Sequence, residues 1–239
     1  MTPFLFAVLA ALGNLTGGLL VVRHARTGMR VVELFVAFGA GFMVSTVVLA
    51  MLPEAFGQER APLYVLAGFL AVHLAQHVLT PHFHFGEETH RVSATAGISA
   101  LAGLSLHTFF DGVAIASGFT VSGGLGVLVF LAVLLHKLPE GVTMASVMLA
   151  GGQGQRRALA AAGLLGLATI AGVLLTTVAA PLGAHGLAIS AGVTLYVAAS
   201  NLVPEFQAKR GWPTAVAFFG GSAAFLITRM LLERLLPHP

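Results

Sequence analysis

The sequence predicts an all-α polytopic membrane fold of eight transmembrane helices, and three observations support this. Hydrophobic residues make up 57% of the 239 positions and charged ones 9%, with a mean hydropathy of +0.92, a balance outside that of soluble domains. Apolar runs near or above the roughly 20 residues that span a bilayer recur along the whole chain. Basic residues also alternate between connections, with eight of the twelve Lys and Arg falling in every second loop.

The runs lie at 4–22, 33–56, 62–80, 95–118, 124–149, 157–180, 186–206 and 213–232. No basic residue precedes the first apolar stretch, "MTPFLFAVLAALGNLTGGLLVV", and it is longer than a secretory signal core, so it is read as helix 1. Arg23, Arg26 and Arg30 join helices 1 and 2; Arg91 lies between helices 3 and 4; Arg156 and Arg157 join 5 and 6; Lys209 and Arg210 join 7 and 8. The alternate connections hold Arg60, while "TVSGG" and "PLGAHG" hold no basic residue. Basic loops stay cytoplasmic. The expectation is therefore a multi-pass protein of the inner membrane with both termini extracytoplasmic. The pI near 10.0 follows from this loop bias and does not indicate nucleic-acid binding. With no cysteine in the chain, any metal must be held by nitrogen, oxygen or thioether sulfur.

Helix 2 ends in "VLAMLPEAF" and helix 7 in "AASNLVPEF", pairing Pro53 and Glu54 with Pro204 and Glu205. That pairing predicts a 3+2+3 arrangement. Residues 1–80 form a first repeat of helices 1–3 and residues 150–239 an inverted second repeat of helices 6–8, around a helix 4/5 core at 95–149. Inverted repeats with interrupted helices are a transporter signature. Residues 81–94 form a cytoplasmic loop, "PHFHFGEETHR", in which His82, His84 and His90 suit metal collection.

The chemistry lies in a repeated motif, "HTFFDGVAIAS" at 107–117 and "HKLPEGVTMAS" at 136–146. Residues four apart share a helix face, so His107 and Asp111 point together, as do His136 and Glu140. Each ionisable group at mid-membrane costs on the order of 2.5–3.5 kcal/mol on insertion scales, and four on adjacent helices imply a shared cation. Side chains lean toward their helix N-terminus, so on antiparallel helices the two carboxylates converge on the histidine level. Gly112 and Gly141, with Ala116 and Ala145 nearby, are expected to let helices 4 and 5 approach closely. Pro139 frees the Leu135 carbonyl for a water or an ion. Imidazole and carboxylate donors suit Zn²⁺, and also Fe²⁺, Mn²⁺, Co²⁺ and Cd²⁺.

These residues resemble the ZIP (Zrt/Irt-like) family of divalent-metal transporters, bacterial type, along essentially the whole chain. The resemblance implies metal uptake into the cytosol, a homodimer, and an elevator-like movement of helices 1, 4, 5 and 6 against 2, 3, 7 and 8. It also implies His107, Asp111, His136 and Glu140 as transport-site ligands. Many members carry Asn after the first motif histidine and Asn or a carboxylate after the second. Thr108 and Lys137 stand in those places here, which puts a two-metal site in doubt. Lys137, three residues before Glu140, can reach it on the same helix surface, either as simple charge balance or in place of a second metal.

Secondary candidates for the pathway are His73 and His77 on helix 3 beside Gln76, Glu54 and Glu205 after their prolines, and the Met51 thioether. Asn14, Ser45 and Asn201 are further polar residues expected to line a conduit or bridge helices. Three rival functions compete with uptake. An intramembrane metal-dependent hydrolase is expected to carry His-Glu-x-x-His, which the chain lacks. A metal exporter of the diffusion-facilitator type uses similar ligands, but on six spans with a cytosolic domain. A bis-histidine haem protein needs no acid four residues beyond each ligand. The expected function is alternating-access transport in a lipid bilayer, with no enzymatic activity and no bound cofactor.

Overall fold

A computed structural model describes residues 2–23, 29–77, 94–204 and 212–235. Among these the chain forms eight helices and no strand. They are α1 (Pro3–Arg23), α2 (Met29–Thr46), α3 (Ala61–His77), α4 (Ala94–Val121), α5 (Gly123–Ala150), α6 (Gln155–Val178), α7 (Ala180–Tyr196) and α8 (Trp212–Leu235). Two of them run on past these limits in a wider, π-helical form: α2 through Val47–Met51, followed by an α-helical turn at Leu52–Ala55, and α7 through Val197–Leu202. Among the described residues, six segments are long and apolar enough to cross a membrane, namely Pro3–Arg23, Glu33–Ala55, Ala100–Val121, Gly123–Ala150, Gln155–Val178 and Trp212–Leu235. The 17-residue α3 and the 17 residues of α7 before its π turn are shorter.

The π turns stand before the matching prolines. In α2 the Leu52 N–H reaches back five residues to the Val47 carbonyl, and Pro53 has no N–H with which to continue the ladder. The Leu49 carbonyl is capped from another helix, by Arg229 on α8 at 2.7 Å. Both interruptions were legible as Leu-Pro-Glu and Val-Pro-Glu, but the widening of the turn before each was not.

Two connections differ from expectation. Of the "TVSGG" loop only Ser122 is non-helical; its Oγ accepts the Leu125 N–H at 3.1 Å and caps α5 directly after α4 ends. The "PLGAHG" segment, expected as a loop between helices 6 and 7, is helical. Ala179 alone breaks the chain there, and Pro181 falls in the first turn of α7, where its missing N–H costs nothing.

Glycines set the closest helix approaches. A Cβ built on Gly141 would overlap the Asn14 carbonyl of α1, and one on Gly17 the Leu138 carbonyl of α5. The same reciprocal contact joins α4 to α6, where Gly112 meets the Thr169 carbonyl and Gly172 that of Phe109. It recurs between α2 and α8 through Gly41 with Phe218 and Gly221 with Phe38, and between α3 and α7 through Gly68 with Ile189 and Gly192 with Val65. Gly112 and Gly141 therefore bring α6 and α1 onto the central pair; they do not draw α4 and α5 together, as the sequence suggested. The reason is geometric: each follows its carboxylate by one residue and so sits about 100° around the helix from it.

Candidate metal centre

α4 and α5 lie side by side and place their motif residues in the interior. His107, Asp111, His136 and Glu140 are all buried, and one ligating atom from each lies within 4.8 Å of all the others. Asp111 Oδ2 is the hub, with His107 Nε2 at 3.3 Å and His136 Nε2 at 3.2 Å. The imidazole centroids are 5.4 Å apart. His136 Nδ1 lies 2.9 Å from the Ala132 carbonyl. A carbonyl can only accept, so Nδ1 carries the proton, and in the neutral ring the Nε2 lone pair faces the carboxylate. A lone pair turned onto an anionic oxygen is a donor that a cation resolves.

The cation present is Lys137. Its Nζ donates to Asp111 Oδ2 at 2.6 Å and to Glu140 Oε2 at 2.7 Å, and the side chain is fully buried. Thr108 Oγ1 lies 2.6 Å from both Glu140 Oε1 and the Leu104 carbonyl, its single proton serving one at a time. Two carboxylates against one ammonium leave the cluster with one net negative charge when the imidazoles are uncharged. Asp111 Oδ1 and both His107 ring nitrogens have no hydrogen-bond partner. This is open coordination capacity in a site with surplus negative charge.

The centre meets a cleft on one side. The cleft is lined by Val36, Leu104, His107, His136, Pro139, Glu140, Val197, Asn201 and Leu202, all at or on the side of the histidines away from Ser122. On the Ser122 side the way is filled by an apolar cluster that includes Phe6, Met51, Ile115, Phe130 and Leu187. There the Phe6 ring lies 4.7 Å from Phe119 and 4.8 Å from Phe130. The Leu135 carbonyl freed by Pro139 faces α2, where a Cβ on Gly39 would stand 3.4 Å from it.

Of the secondary candidates, Thr108 and Lys137 join the cluster and Asn201 lines its cleft. Met51 lies in the apolar plug, while Glu54 is exposed at the end of α2. His73 is exposed on α3, with its ring 5.8 Å edge-on from Tyr196. Ser45 turns back to the Gly41 carbonyl of its own helix at 2.9 Å. The His77 side chain, His82, His84, His90 and Glu205 lie outside the described residues. Sequence reasoning paired Lys137 with Glu140 but missed its bond across the helix interface to Asp111. It also missed the stacked Tyr64 and His185 rings, 4.2 Å apart between α3 and α7, for which the sequence carries no signal.

The family model "Zip: ZIP Zinc transporter" matches residues 84–229, which include the whole centre. Human zinc transporter ZIP6 is 32% identical over 136 residues, covering 52% of this chain and 18% of that protein. Zinc transporter ZIP9-B of Xenopus laevis is 30% identical over 155 residues, 59% of this chain and 51% of that protein. Zinc transporter ZIP13 of Pongo abelii is 28% identical over 196 residues, 71% and 57%. The chain thus spans from under a fifth to just over half the length of these relatives. Together with the apolar helices, the match marks a multi-pass membrane protein, and the chain belongs to the ZIP zinc transporter family.

Proposed function

We propose that the protein transports divalent transition-metal ions, zinc foremost, across a membrane by alternating access through the α4/α5 centre. One observation carries the proposal: two imidazoles and two carboxylates, all buried, with ligating atoms within 4.8 Å of one another. That donor set is the one borderline dications select, so Cd²⁺, Fe²⁺, Mn²⁺ and Co²⁺ are further substrates of the reading. Thr108 orients Glu140, and Lys137 already offsets one of the two carboxylate charges, which supports one metal per site.

The proposal includes eight spans in a 3+2+3 order with inverted repeats. Support comes from the paired π turns before Pro53 and Pro204, and from the glycine crossings, in which α1/α5 repeats as α6/α4 and α2/α8 as α7/α3. These crossings tie α1 to α5 and α4 to α6 in one group, α2 to α8 and α3 to α7 in another, which supports movement of helices 1, 4, 5 and 6 against the rest. The cleft favours a state open toward the His82, His84 and His90 loop. Uptake is the direction proposed, with that loop cytoplasmic, both termini extracytoplasmic, and the bacterial inner membrane as location. An inside-negative potential favours such entry by about 2.3 kcal/mol per charge per 100 mV. A homodimer belongs to the same reading and rests on the family resemblance. Asn201 and Glu205 are placed on the release path, with His73, His77, Glu54 and Met51 as outlying pathway groups.

The test is influx into proteoliposomes loaded with a zinc-sensitive dye, comparing Zn²⁺, Cd²⁺, Fe²⁺ and Mn²⁺ for the parent and Glu140→Ala. Saturable influx that the substitution abolishes is the expected result. Equal influx through the variant overturns the assignment.

A further inference from the structure

Asn14 on α1 is fully buried, and neither its amide nitrogen nor its carbonyl oxygen has a hydrogen-bond partner. A buried, unpaired amide is costly, and a native structure that keeps one calls for an explanation. The crossing of α1 with α5 supplies one. A Cβ on Gly13 would stand 3.0 Å from the Lys137 Cβ, while the Asn14 backbone carbonyl fills the space at Gly141. Lys137 and Gly141 are one helical turn apart, so Asn14 lies against the turn of α5 that carries Lys137 and Glu140.

The internal repeat gives an independent comparison. Gly112 and Gly172 meet the Thr169 and Phe109 carbonyls just as Gly141 and Gly17 meet those of Asn14 and Leu138. Thr169 is thus the counterpart of Asn14, and the motif makes Thr108 the counterpart of Lys137. In the α4/α6 copy the hydroxyls have acceptors: Thr108 at Glu140 and Leu104, Thr169 at the Leu165 carbonyl, 3.5 Å away. In the α5/α1 copy the neighbour of a lysine is an amide with nothing to bind.

We infer that Asn14 is the alternate acceptor for Lys137. In the metal-free state the ammonium bridges Asp111 and Glu140; when a dication occupies the centre, the ammonium moves to Asn14 Oδ1. This rests on the reading of the cluster as the metal site. A dication at Asp111 Oδ2 competes with the ammonium 2.6 Å away, and like charges so close repel strongly in a dry interior. The displaced ammonium, a donor with no accepting capacity, needs an oxygen within the reach of its flexible stem. Asn14 is a positioning residue in this scheme: it touches no cargo and sets how readily Lys137 yields its place.

The experiment is calorimetric titration of Zn²⁺ into purified protein in nanodiscs. The chains compared are the parent, Asn14→Leu, Asn14→Asp, Lys137→Met and the Asn14→Leu/Lys137→Met double variant, each first shown to be folded by circular dichroism. Asn14→Leu is expected to weaken binding about tenfold, the worth of a hydrogen bond to a charged group. Asn14→Asp is expected to tighten it by drawing the ammonium off the ligands. In the Lys137→Met background Asn14→Leu is expected to change nothing, because no ammonium has to move. A merely structural asparagine weakens binding for both replacements and in both backgrounds; that pattern, or no effect anywhere, overturns the inference. The opposite-sign prediction for Asn14→Asp keeps the test decisive if the leucine variant misfolds. A parent that binds no Zn²⁺ overturns the metal-site reading and this inference together, whereas a parent that binds without coupling overturns this inference alone.

Discussion

Lys137 Nζ on α5 lies 2.6 Å from Asp111 Oδ2 on α4, the same oxygen that His107 and His136 approach within 3.3 Å. One carboxylate oxygen thus belongs to an ion pair and to the candidate metal-ligand set, and the two uses compete. The consequences reach both stability and binding.

Asp111→Ala strands a buried ammonium that retains only Glu140. Breaking a buried pair from one side costs about 3–5 kcal/mol, so thermal unfolding followed by size-exclusion recovery should shift to clearly lower temperature. Adding Lys137→Met removes the stranded charge and should restore most of the loss without restoring Zn²⁺ binding. A double variant no more stable than the single one contradicts the pairing.

Thr108→Val keeps the shape and removes the hydroxyl that sits 2.6 Å from Glu140 Oε1. A lost hydrogen bond to a charged group amounts to about 1.5–3 kcal/mol, so Zn²⁺ affinity should fall on the order of tenfold. Thr108→Ser should keep it. Calorimetry separates the two, and equal affinities for Val and Ser would show that Thr108 does not orient the carboxylate.

Gly112→Ala and Gly141→Ala each push a methyl group into a backbone carbonyl, of Thr169 and of Asn14. No side chain can rotate out of the way. Overpacking of this kind costs about 1–3 kcal/mol or more, and both variants should lose monodisperse yield. Gly154→Ala, with nothing within 4 Å of the added atom, is the matched control and should behave as the parent.

The chain has no cysteine, so introduced thiols report access without background. Asn201→Cys, in the cleft, should react with a membrane-impermeant maleimide from the side of the α5–α6 connection, and Zn²⁺ should slow the reaction. Ile115→Cys, in the apolar plug, should stay unlabelled from that side. Reversal of this pattern would place the opening at the other end.

The sequence made the helices and the cluster of two His and two acidic side chains legible because both depend on short-range periodicity: hydropathy over about 20 residues, and His-x-x-x-acid spacing on one face. It could not show which face of each motif helix meets which neighbour. Gly112 and Gly141 therefore read as a contact between α4 and α5, whereas they serve α6 and α1. Lys137 read as a partner of Glu140, its neighbour on the helix, while Asp111 became its second partner only once two helices were packed. Asn14 carried no motif at all, and its interest arises from an unmet hydrogen bond that exists only in three dimensions. The "PLGAHG" stretch misled through composition, since Pro and Gly punctuate loops but are also admitted in a helix's opening turns.

Ser122 is the whole of the link between the two 28-residue helices α4 and α5. With one residue of slack, the legs of this hairpin cannot slide far along one another, and all four ligands sit on it. A site divided between separately moving bodies lets its cargo go by pulling the ligands apart. A site confined to one hairpin keeps its coordination sphere whole throughout its travel. On the proposed transport reading, unloading becomes a matter of substitution, with water, protons or the ammonium of Lys137 taking over the ligands one by one. The rate of delivery is then expected to follow ligand-exchange chemistry at the open mouth rather than the reach of the movement.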